Sequence, residues 1–136
     1  MLVLTRNKNT AVRIGSEVLI TVREFRAGEV TVEVDYPSHL TLKGPGGAVS
    51  GEPIASAGGD EKPPSGPTKL RASLASKLED VIRIGDEILV KIVALQNPTG
   101  IPYRVRLGFE APIYLRIERT DYKGNGISPQ PGGRPT

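Results

Sequence analysis

The chain is predicted to be all-β, two five-stranded repeats closing around one shared core. Three observations predict this. A ten-residue stretch occurs twice, as RIGSEVLITV at Arg13–Val22 and RIGDEILVKI at Arg83–Ile92. Apolar and polar residues alternate with a period of two along most of the chain, and no segment reads convincingly as a helix. A central stretch rich in Gly and Pro separates the two copies. Two copies are too few for a solenoid, so the repeat is a duplicated small domain. Each half would hold roughly 45–55 residues, a size that buries too little surface to be stable alone. The halves are therefore expected to share a core, as two subunits of a dimer do.

In chain order, Met1–Thr5 (MLVLT) is apolar and β-branched and reads as a strand, with Leu2 and Leu4 on one face. It has no local partner before it, so it must pair with something distant in sequence or fray as chain termini do. After a turn at residues 7–10, Ala11–Ile14 is a short second strand closed by Gly15-Ser16, a tight hairpin turn. Glu17–Arg23 is a third strand with Val18, Ile20 and Val22 on one face. Glu29–Asp35 is the clearest strand: Val30, Val32 and Val34 alternate with Glu29, Thr31, Glu33 and Asp35, one buried face against one wet face. Pro37 ends it, and His39–Lys43 is the fifth strand. This first repeat spans residues 1–43.

Residues 44–69 differ in kind. Twelve of the 25 residues in Gly44–Thr68 are Gly or Pro, without apolar periodicity, and the segment reads as a flexible linker reaching about 80–90 Å when extended. Gly44-Pro45-Gly46-Gly47 lacks the GKS/T ending and following helix of a phosphate loop. The second repeat, residues 70–123, opens with Leu70–Ser76, continues through Val81–Ile84 and Glu87–Leu95, and after a longer turn at Gln96–Pro102 adds Tyr103–Phe109 and Ile113–Arg119. Residues 124–136, again Gly/Pro-rich, read as a disordered tail.

Composition narrows the chemistry. The sequence has no Cys, which excludes disulfides, thiolate metal sites and thiol nucleophiles. Its one His, His39, has no acidic cluster fixed around it, and Ser16 sits in a turn without a base to activate it. No enzyme, metal or cofactor is expected. No apolar run approaches a membrane span and no signal peptide opens the chain, so the expectation is a cytoplasmic protein without a membrane partner. The net charge of +3 is evenly spread: six basic against five acidic groups in residues 1–43, nine against seven in residues 70–123. A nucleic-acid site would have to be local, made by a few placed arginines. Tyr103, Tyr114 and Phe109 lie at strand spacing and are expected to pack.

The pattern resembles the carbon storage regulator family (CsrA/RsmA-like), bacterial proteins that bind messenger RNA. The residues that carry the resemblance are Met1-Leu2-Val3-Leu4-Thr5-Arg6, Ile14-Gly15-Ser16-Glu17-Val18, the Val30/Val32/Val34 strand and Pro37, and in the second copy Ile84-Gly85-Asp86-Glu87-Ile88, Gly108, Ala111-Pro112 and Arg119. The resemblance implies an intrachain pseudo-dimer of two such repeats with first and fifth strands exchanged; exchange between two chains would instead give a homodimer. It also implies a translational regulator that binds GGA-containing mRNA hairpin loops where a first strand of one repeat meets the fifth strand of the other.

The first such composite site would hold Leu4, Thr5 and Arg6 with Leu115, Arg116, Ile117 and Arg119. Arg119 falls on the family's most important RNA-binding arginine, and Arg6 matches the first of two arginines in the opening strand, with Asn7 in place of the second. Glu118 stands where a neutral group is usual. The second composite site would join Leu74, Ser76 and Lys77 to Leu40, Leu42, Lys43 and Gly44. There Gly44 takes the place of the key arginine and Ser76 that of the strand-one arginine, so this site reads as decayed. The family's short helix after the fifth strand has no counterpart in either copy. The alternative reading is a protein-interaction module, or an antagonist of single-copy relatives, that has lost RNA binding.

Overall fold

The computed structural model describes residues 1–54, 68–96 and 101–120. Twelve strands and no helix occur among them: β1 (Leu2–Arg6), β2 (Ala11–Ile14), β3 (Val18–Arg26), β4 (Glu29–Pro37), β5 (Leu42–Gly44), β6 (Gly47–Val49), β7 (Glu52–Pro53), β8 (Lys69–Lys77), β9 (Val81–Ile84), β10 (Ile88–Gln96), β11 (Arg104–Glu110) and β12 (Ile117–Thr120). They form two six-stranded antiparallel sheets. One runs β1-β11-β10-β9-β5-β6 and the other β12-β2-β3-β4-β8-β7.

The alternation in the sequence sets which face each strand buries. Val30, Val32 and Val34 of β4 are fully buried, as are Val90 and Ile92 of β10, while the intervening polar residues stay at least partly exposed; in β3 Val22 is fully buried and Thr21 beside it is buried too. One cluster of buried side chains draws on both halves of the chain, from Val12 and Ile20 to Ile82, Leu107 and Phe109. Neither half has a core of its own. Full burial of each such side chain contributes about 1.5–3 kcal/mol.

The opening and closing strands of each half are hydrogen-bonded to the other half. β1 pairs with β11 from Leu2↔Phe109 to Arg6↔Val105. β8 pairs with β4 from Glu29↔Lys77 to Pro37↔Lys69. β5 pairs with β9, and β12 with β2. The unpartnered strand at Met1 thus finds its distant partner in β11. Local features recur with fixed spacing. Asn9 donates to the Val22 carbonyl and Glu79 to that of Ile92; a residue is bulged after Val22 and another after Ile92. Beyond the Gln96 turn the spacing grows by five, and Leu40 and Leu115 donate to the carbonyls of Pro37 and Pro112.

Gly15 and Gly85 show why the repeated Ile-Gly turn needs glycine. Both have φ of +64°. Their amides donate across to Arg116 and Thr41, each at 2.7 Å. A Cβ at Gly15 would lie 2.9 Å from Leu115 Cδ2, and one at Gly85 3.0 Å from Leu40 Cδ2. Left-handed backbone costs a non-glycine residue about 1–2 kcal/mol before that crowding is added. Gly15→Ala and Gly85→Ala are each expected to lower the unfolding free energy by about 1–2 kcal/mol or more, measured by denaturant unfolding.

The structure corrects three sequence expectations. The fifth strands start later than His39 and Ile113: residues 38–41 and 113–116 form turns closed by the Leu40 and Leu115 amides, and only β5 and β12 are extended. The linker is not structureless throughout, because residues 47–49 and 52–53 are the strands β6 and β7, and Lys69 belongs to β8. Of the three aromatics expected to pack, only Phe109 is buried; Tyr103 and Tyr114 are 59% and 69% exposed. The tail at 124–136 and most of the linker, residues 55–67, lie outside the described residues.

Candidate RNA-binding edge

β1 and β12 are the end strands of the two sheets, and Arg6 joins them. The resemblance placed Arg6 among the residues that would contact RNA. Instead Arg6 is 8% exposed, and its guanidinium is taken up by backbone carbonyls. Nη1 donates to Ala11 at 2.9 Å and to Thr120 at 3.2 Å, and Nε to Thr5 at 2.9 Å. A planar group with five donors is suited to this, because it bonds three carbonyls from different strands at once. The first strand of the chain is thereby fastened to its last described strand.

The other six expected site residues divide by environment. Leu4 is half-buried and Thr5 exposed, both on the β1 edge. Leu115 is not on a strand; it packs over the Gly15 turn. Arg116 is exposed and pairs with Glu118 at 3.1 Å, so the acid two residues on offsets its charge. Ile117 packs against the core, opposite Ile14. Arg119 lies opposite Val12 and, by the two-residue period, on the same face as Ile117. It is exposed and makes no ion pair or side-chain hydrogen bond among the described residues. Thr120, whose carbonyl accepts from Arg6, follows it directly. Arg119, Thr5 and Leu4 therefore flank a guanidinium-bridged seam between two sheet edges. Such edges carry rows of backbone donors and acceptors.

At the opposite seam the corresponding residues are different. Ser76 is fully buried and its Oγ has no hydrogen-bond partner among the described residues. Gly44 lies against Leu74 and Val49, where a Cβ would be 3.0 Å from Leu74 Cδ2. Lys43 and Lys77 are exposed. The outer edge of β5 is paired with β6 and that of β8 with β7. Sequence reading missed this covering. Its trace is the apolar Val49 within otherwise Gly/Pro-rich residues.

A groove of about 260 Å³ lies between the two Ile-Gly turns, with Ser16, Glu17, His39, Asp86, Glu87 and Tyr114 around it. The Tyr114 hydroxyl donates to Glu87, which raises the Tyr114 pKa. Among the described residues no group of three or more His, Asp or Glu side chains could hold a metal ion. None of their helices could cross a membrane, since they contain none.

The fold and this seam define a class: two antiparallel sheets around one core, with the edges of β1 and β12 joined by Arg6 and Arg119 exposed beside them. Residues 1–43 match the family model CsrA, described as a global regulator protein family. The chain is also similar to the translational regulator CsrA of Wolinella succinogenes, 42% identical over 50 residues that cover 37% of this chain and 59% of that protein. The chain thus spans somewhat less than two thirds of that relative's length. No solved structure matches the chain.

Proposed function

We propose that the chain is an RNA-binding translational regulator that engages a GGA-containing loop of messenger RNA at the β1–β12 seam. The observation that carries this is the Arg6 bridge to Thr120, which holds Arg119 and the β12 edge beside the β1 edge. The family match over residues 1–43 and the relative's name support the same reading. Loop bases splayed from a stem are read by hydrogen bonds to their edges, and arginine can give two such bonds to the O6 and N7 of guanine. Arg119 takes that role. Leu4 and Thr5 flank the seam, Arg116 adds a phosphate contact partly offset by Glu118, and Arg6 acts by holding the seam closed.

The two halves are copies, folded within one chain as a strand-exchanged dimer would be. The support is the recurrence of turn geometry, bulges and crossing hydrogen bonds at fixed spacing. One chain then has one competent site. Titration of a GGA hairpin is expected to reach one RNA per chain, with affinity falling as salt rises. The protein alone should run at monomer mass. Two hairpins per wild-type chain would refute the asymmetry, and absence of salt-dependent binding would refute the RNA reading.

A further inference from the structure

We propose that residues 47–54 are a built-in strand cap that permanently fills the second seam, between β5 and β8, and that this cap limits the chain to one RNA. The inference rests on the RNA-binding reading above and adds to the missing arginine a second, independent barrier to a second site. Loss of an arginine at Gly44 would weaken a second site; a cap removes the edge on which any site would be built.

The cap takes both edges in succession. β6 folds back on β5 with Leu42↔Val49, Lys43↔Ala48 and Gly44↔Gly47 opposed. The chain then crosses to the other sheet, where β7 lies along β8 with Glu52↔Arg71 and Pro53↔Leu70 opposed. The Ile54 amide extends this by donating to the Lys69 carbonyl at 3.0 Å. Edge groups that would meet a ligand at the open seam are here used by the chain itself.

The fit is close. The Gly51 amide donates at 2.9 Å to the hydroxyl of Tyr36, a residue only 2% exposed. A Cβ at Gly51 would lie 2.8 Å from that hydroxyl and 3.1 Å from both the Arg71 carbonyl and Leu70 Cβ. Val49 packs on the common core. Charge is also satisfied locally: Asp35 accepts two hydrogen bonds from Arg71, at 2.8 and 3.0 Å. Where Arg6 bridges the open seam, the corresponding Ser76 is buried, small and uncharged.

The test displaces the cap with Val49→Asp and Gly51→Val together and measures two things on the full chain. The first is amide exchange in Leu42–Gly44 and Lys69–Arg71. The second is the number of GGA hairpins bound by four proteins: wild type, the cap pair, Gly44→Arg, and Gly44→Arg with the cap pair. The expected result is at least tenfold faster exchange at those edges in the cap-displaced chains, unchanged exchange in β1, and one, one, one and two hairpins respectively. Unchanged edge exchange overturns the cap. Two hairpins on Gly44→Arg with the cap intact, or one on the combined variant with its edges open, overturns its role in limiting RNA. If the combined variant fails to fold, exchange in the cap pair decides. A wild type that binds no RNA refutes the functional reading alone, and exchange still decides whether the segment caps the seam.

Discussion

Arg6→Ala is expected to destabilise the chain by about 3–5 kcal/mol and to release β12 from the seam. The estimate follows from what the side chain holds. Its guanidinium gives hydrogen bonds to the carbonyls of Thr5, Ala11 and Thr120, and the bond to Ala11 is buried. A hydrogen bond from a charged donor contributes roughly 1.5–3 kcal/mol, and a buried acceptor left without one costs about 1–3 kcal/mol. β12 pairs with one strand only, through four residues, so little else holds it. Denaturant unfolding should show the loss, and amide exchange should show it concentrated in β12 and β2. Arg6→Lys should recover only part of it, because an ammonium cannot span three carbonyls in one plane. If Arg6→Ala unfolds like wild type, the bridge is not what joins the two edges.

Much of this fold was readable in the sequence because apolar residues alternate with polar ones along most strands, and burial follows that alternation in β4 and β8. Val30, Val32 and Val34 had to face a core, and the recurrence of Ile-Gly-x-Glu required two equivalent turns. The strands β6 and β7 were not readable. Three and two residues are too short to show a period, and their Gly and Pro content is that of a linker; they are extended because two sheet edges beside them need partners. The late start of β5 and β12 has a related cause. Leu40 and Leu115 fit the strand period but are drawn instead over Gly85 and Gly15, where those glycines leave room for a side chain. Arg6 stood out in the sequence as a candidate site residue, but nothing there marked it as buried. Sequence gives a guanidinium its charge and reach, whereas its burial depends on carbonyls from residues as distant as Thr120.

That difference between the two arginines leads to the second large effect. Arg119→Ala is expected to weaken binding of a GGA hairpin roughly 10- to 100-fold, and Arg119→Lys nearly as much. A bidentate arginine–guanine pair contributes about 1–3 kcal/mol of discrimination, and a lysine lacks the fork that makes it. Arg119 is exposed and has no ion pair among the described residues, so its removal breaks nothing that holds the fold. Its unfolding free energy should therefore stay within about 0.5 kcal/mol of wild type, as for other surface substitutions. Against a hairpin with the GGA changed to AAA, Arg119→Ala should bind no worse than wild type, because the lost contact reads guanine. Glu118→Gln should act in the opposite sense, by removing the acid that offsets Arg116 beside the phosphates and so tightening binding. Equal affinity of wild type and Arg119→Ala for the GGA hairpin would move the RNA site away from the β1–β12 seam, whereas a loss accompanied by unfolding would make Arg119 a second structural arginine.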